Sequence, residues 1–127
     1  MNKIFTFIII CICFIGCDEN GEQLLYPHRI RVDLQNGYAS DSVIVKIDND
    51  IIINNTITTN PILSFASSGN IIKPDGRRML HIENISDSVK TDTSFFHTQK
   101  DIYIGISYSR IEKRFSFIIQ NTPFNYR

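Results

Sequence analysis

The chain predicts an all-β fold: a single antiparallel β-sandwich of about seven strands behind a short apolar leader. Three observations carry that expectation. From His28 onward, apolar residues recur with a period of two, which sends one set of side chains to a core face and the other to solvent. Clusters of Asn, Asp, Gly, Ser and Pro interrupt the alternation at strand-length intervals, as turns between short strands do. No window repeats its apolar residues at helical spacing.

The leader comes first. Lys3 precedes an almost purely apolar run, Ile4–Gly16, of 13 residues. A membrane-spanning helix needs about 20 residues. The run instead has the length of the core of a secretory signal peptide, so residues 1–16 are set apart from the fold. The tetrapeptide Phe14-Ile15-Gly16-Cys17 resembles the lipobox of bacterial lipoproteins, with Phe14 where that family prefers Leu and Ile15 where it prefers Ala or Ser. The resemblance implies cleavage between Gly16 and Cys17, a diacylglycerol on the Cys17 sulfur and acylation of the new amino group by a fatty acid such as palmitate. Two or more chains would hold the protein stably on a membrane, at about 0.8 kcal/mol per buried CH₂. Residues 17–27 read as a tether, because Asp18–Gln23 is acidic and polar with no apolar surface to bury. It resembles the acidic export tags of surface lipoproteins in the Bacteroidetes, which implies a surface-exposed domain on the outer membrane. An Asp directly after the cysteine also resembles the inner-membrane retention signal of proteobacteria. The tag alone does not choose between these two addresses in the cell envelope.

The domain is expected over residues 28–127. Ile30, Val32 and Leu34 alternate with Arg29, Arg31 and Asp33, and Val43, Val45 and Ile47 alternate with Ser42, Ile44 and Lys46. Leu80 and Ile82 alternate with Met79, His81 and Glu83. Ile102, Ile104, Ile106 and Tyr108 form a further inward set, and Phe115, Phe117 and Ile119 another. Ile51–Ile57 and Ile62–Ala66 are weaker candidates, the second following Asn60-Pro61. Asn36-Gly37 and Asp48-Asn49-Asp50 have turn chemistry. Lys73-Pro74-Asp75-Gly76 suits a type I turn. Ser67–Asn70 and Thr91–Lys100 read as polar loops, the second interrupted by Phe95, Phe96 and His97. The tail Pro123–Arg127 carries Phe124 and Tyr126 and is expected to lie against an open end of the sandwich. The pattern resembles the immunoglobulin-like or transthyretin-like modules of surface proteins. The chain has no Trp, so it lacks the Cys–Trp–Cys signature of true immunoglobulin domains.

Composition limits function. Without residues 1–16 the chain has 111 residues, with 12 basic and 13 acidic side chains. Such a balance gives no long-range attraction to nucleic acid, so no nucleic-acid partner is expected. Cys11 and Cys13 leave with the leader, which removes disulfides and cysteine metal sites from consideration. There is no phosphate loop and no dinucleotide fingerprint, and no cofactor is expected. His28, His81 and His97 fall on three segments without the short-range spacing common in zinc sites, so no metal is expected. Asp48 and Asp50 offer carboxylates for calcium, which takes six to eight oxygens, but two in a hairpin tip are more often just the polar residues of a turn. Asp92, Ser94 and His97 share one segment, without the strand–turn–helix setting of a nucleophile elbow.

Ser40-Asp41-Ser42-Val43 recurs as Ser86-Asp87-Ser88-Val89. Asp-Ser-Val is similar to the O-glycosylation acceptor of exported Bacteroidetes proteins, which implies glycans on Ser42 and Ser88. The other reading is two turns opened by Asp and Ser. Phe96, Tyr103, Arg77 and Arg78 are the candidate contact residues, since aromatics and arginines dominate binding hot spots. The expected function is a lipid-anchored, non-catalytic binding or accessory module of the bacterial envelope, with a protein or glycan partner. The alternatives are an assembly subunit using Ile51–Ile57 as an exposed strand edge, and a small hydrolase or inhibitor of one.

Overall fold

The computed structural model describes residues 27–127, so the leader, Gly16, Cys17 and the tether up to residue 26 lie outside the described residues. Eight strands follow one another: β1 (Pro27–Leu34), β2 (Asp41–Ile47), β3 (Asp50–Ile57), β4 (Ser67–Pro74), β5 (Gly76–Asn84), β6 (Val89–His97), β7 (Ile102–Ser109) and β8 (Arg114–Gln120). One sheet has the order β4-β1-β7-β8 and the other β3-β2-β5-β6. They pack as the expected sandwich.

Period-two alternation builds the core. Ile30, Val32 and Leu34 of β1, Val43, Val45 and Ile47 of β2, Leu80 and Ile82 of β5, and Ile104 and Ile106 of β7 are fully buried. Each such side chain contributes roughly 1.5–3 kcal/mol relative to leaving it in water. Phe115 is buried, but Ile119, expected inward, is 49% exposed, because β8 is an edge strand with nothing beyond it.

Three segments differ from expectation. Ile62–Ala66 is not a strand. It lies in a turn closed by a bridge between Asn60 and Phe65, where the Asn60 side-chain oxygen accepts the N–H groups of Ile62 and Leu63. Local bonds of this kind compete with a ladder. Ser67–Asn70 and most of Thr91–Lys100 are not loops but parts of β4 and β6, each an edge strand held by its full-length partner, β1 or β5. One expected strand is lost and two are gained, which gives eight.

The Lys73–Gly76 segment is tighter than a four-residue turn. Only Asp75 stands between β4 and β5, and the chain passes there from one sheet to the other. Asn36-Gly37 does turn the chain. Gly37 has φ +95°, and a Cβ there would overlap the Tyr108 carbonyl. At Gly69, β4 runs so close to β3 that a Cβ would lie 2.5 Å from the Ile52 carbonyl oxygen, and this contact closes one side of the sandwich.

All neighbouring strands are antiparallel except β1 and β7, which run parallel at the centre of their sheet. β7 arrives from the opposite sheet after β6, so it meets β1 from the same direction rather than by a hairpin. The tail lies across the outer face of this sheet and not simply at its end. Tyr126 Oη donates to Asp33 Oδ2 at 2.8 Å and accepts from Gln35 Nε2 at 3.0 Å, while its ring packs on Phe65 at 4.9 Å.

Candidate functional site

The strand ladders sort the candidate contact residues onto different surfaces. Arg77 and Phe96 are directly opposite each other across the β5–β6 ladder, on the outer face. Phe96 is 71% exposed, whereas its neighbour Phe95 is buried in the core, as alternation requires. Arg77 Nη2 donates to Ser94 Oγ at 3.2 Å, which lays the guanidinium along the same face. Met79, 42% exposed, is two positions further along β5. Beyond it is a depression of about 430 Å³ lined by Lys46, Asp48, Asn49, Met79, His81 and Asp92. His81 Nδ1 is 2.6 Å from Asp92 Oδ1 there. The outer face of β5 and β6 therefore presents an aromatic, an arginine, a thioether and a polar hollow in one strip.

Arg78 does not join this strip. It points to the other side of β5, where Nη1 donates to Asp48 at 3.1 Å and Nη2 to the Pro74 carbonyl at 2.6 Å. Tyr103 is on β7 in the opposite sheet, half-buried and paired with Arg31 and Gln120. Neither shares a surface with Phe96.

The Asp48–Asp50 turn is occupied by cations of the protein itself. Lys73 Nζ lies 2.5 Å from Asp50 and 3.7 Å from Asp48. Asp48 also accepts the Met79 N–H at 3.1 Å. Burial would raise the Asp48 pKa, but that N–H, Arg78 and Lys73 outweigh it and hold the carboxyl below its usual value. Both Asp48 oxygens and Oδ2 of Asp50, which a calcium ion would take, are thus engaged by the protein's own donors.

The two Ser-Asp-Ser-Val copies meet in space. Ser86 Oγ accepts the Ser42 N–H at 3.0 Å, and Arg110 reaches both aspartates, Asp41 at 2.7 Å and Asp87 at 3.1 Å. Tyr108 Oη donates to Asp87 at 2.6 Å. Burial, reinforced by that bond to a carboxylate, pushes the Tyr108 hydroxyl up to about 12. Ser42 is half-buried at the start of β2, whereas Ser88 is exposed in the β5–β6 turn with φ +56°.

Asp92, Ser94 and His97 do not converge. Even-numbered positions of β6 face outward and odd ones inward, so Asp92 and Ser94 are exposed while His97 is fully buried. His97 meets other partners. Its ring centroid is 5.9 Å from that of His28 on β1, edge to face, and His28 Nδ1 is 3.2 Å from Asp75 Oδ1. Asp75 Oδ2 accepts the Gln99 N–H at 2.9 Å, and this bond, with His28 beside it, holds the carboxyl below its usual value. Spacing along the sequence gives no hint of this cluster, because its members come from β1, the β4–β5 corner and the end of β6. The signal that could find it is parity: with β6 a strand, His97 shares the inward face with Phe95, as His28 does with Ile30.

A scan against protein-family models and a search of the curated proteins both return no match for the chain. The reading of function therefore rests on the residues themselves.

Proposed function

We propose that the protein is a lipid-anchored, non-catalytic binding module of the bacterial envelope, tethered through Cys17, and that it engages an envelope protein or glycan with the outer face of β5 and β6. The single observation behind this reading is Phe96. A phenylalanine 71% exposed at a regular strand position, facing Arg77 across the ladder and continuing into a polar hollow, contributes little to the core and much to a contact surface. Ser88, exposed in the neighbouring turn, is the better placed of the two candidate glycan acceptors.

The test is capture from the protein's own envelope after cross-linking in intact cells, comparing the natural chain with Phe96→Ala and Arg77→Ala. Both variants should keep their stability within about 0.5 kcal/mol, as surface changes do. Each should weaken partner recovery about tenfold or more if it removes a hot spot. The captured chain should begin at Cys17 and carry acyl mass. Equal recovery by all three proteins would discard the face, and an unmodified Cys17 behind an intact leader would discard the anchor.

A second reading, assembly by strand addition, draws on β3 (Asp50–Ile57) being an edge strand with Ile51 55% exposed. The approach of Gly69 to Ile52 covers part of that edge, which leaves less ladder free for a partner strand.

A further inference from the structure

We propose that His28, Asp75 and His97 form a site for one divalent transition-metal ion of the zinc class, joining the two sheets at the end of the sandwich where the chain enters β1. This inference stands apart from the contact face on β5 and β6. One ligand-capable atom from each of the three residues lies within 4.8 Å of the other two. Two imidazoles and a carboxylate are a donor set for zinc and its neighbours, and a site with three protein ligands leaves the fourth position to water. Zinc bonds of about 2.0–2.1 Å place tetrahedral ligands roughly 3.3 Å apart, so from a separation of at most 4.8 Å the side chains need to close by up to about 1.5 Å. His28 and Asp75, whose side chains are 25% and 21% exposed, have room to do so.

The buried ring of His97 gives the independent indication. Its Nε2–H donates to the Lys100 carbonyl at 3.1 Å, which leaves Nδ1 as the nitrogen with the free lone pair. That Nδ1 is buried and has no hydrogen-bond partner. A buried acceptor without a donor is costly, and a metal ion is one group that satisfies it. The opposite ring nitrogen bonded to a backbone carbonyl is also the arrangement that fixes the tautomer of a ligating histidine. The fold gives such an ion something to do. Residues 27–127 contain no cysteine, so no disulfide among them links the sheets, whereas His28 lies in one sheet and His97 in the other.

The full chain, purified in detergent and stripped by a chelator, is titrated with zinc chloride by calorimetry and then melted with and without the metal. The expected result is one saturable site per chain and a melting temperature that rises with zinc. His28→Gln and Asp75→Asn alter partly exposed side chains and should stay folded by circular dichroism. Each should bind at least tenfold more weakly, since losing even an outer partner of a metal ligand costs that much. His81→Gln, a histidine outside the cluster, should bind zinc as the natural chain does. Absence of saturable binding by the natural chain, or unchanged affinity in either His28→Gln or Asp75→Asn, would overturn the site.

Discussion

Arg110 is where single residues matter most. Its guanidinium is shared between Asp41, which is almost completely buried, and Asp87, and it lies 5.9 Å from the centre of the Tyr108 ring. Burial alone would raise the Asp41 pKa, but the Ala39 N–H and Arg110 more than reverse that, so it titrates below its usual value. A carboxyl with a lower pKa in the folded than in the unfolded chain adds stability at every pH above the unfolded value, about 3.9. That contribution fades as pH falls through the lower folded value. Arg110→Ala should therefore destabilise the domain at neutral pH, by less than breaking a fully buried pair would, because the arginine side chain is 45% exposed. It should also flatten the loss of stability in acid, and urea melts from about pH 2 to 7 measure both effects. The duplicated Ser-Asp-Ser-Val was plain in the sequence as a repeat. That its aspartates converge on one arginine was not, because Arg110 is far from both copies along the chain. The histidines follow the same logic: alternation assigns a face to His81, but His97 reads as part of a polar loop, and nothing local tells that it meets His28.

At the level of elements, the strands with the strongest alternation were legible and the edge strands were not. β2 and β7 carry Val and Ile at every second position, and their inward sets are those expected. β4 begins Ser-Ser-Gly-Asn, a composition that favours turns, yet it is a strand because β1 offers it eight paired positions. β6 hides behind its threonines: in its inward row Thr91 and Thr93 separate Val89 from Phe95 and His97, which breaks the apolar alternation. Gly69 marks why β4 has to be poor in side chains. Gly69→Ala would press a methyl group against the Ile52 carbonyl and should destabilise the domain by about 1–3 kcal/mol in a urea melt. A neutral outcome would mean that β3 and β4 part easily, which would in turn free the β3 edge for strand addition.

For the whole molecule, class was readable and topology was not. Alternation and turn chemistry are local, but pairing order depends on which distant segments meet. Ile30 pairs with Ile102, 72 positions later, and all four connections that change sheet lie between them. Closing such long loops comes before the contacts that repay it, so the domain should refold in milliseconds to seconds rather than microseconds. Stopped-flow dilution from urea reads this directly, and a microsecond phase carrying the full amplitude would contradict it. The same central placement of β1 has a mechanical meaning. Residue 27 opens a strand flanked by β4 on one side and β7 on the other. A pull on the chain ahead of it acts along the strand axis and strains both rows of backbone bonds in shear, all at once. A domain tugged from that point resists like a lap joint, where one entered through an edge could be peeled open rung by rung.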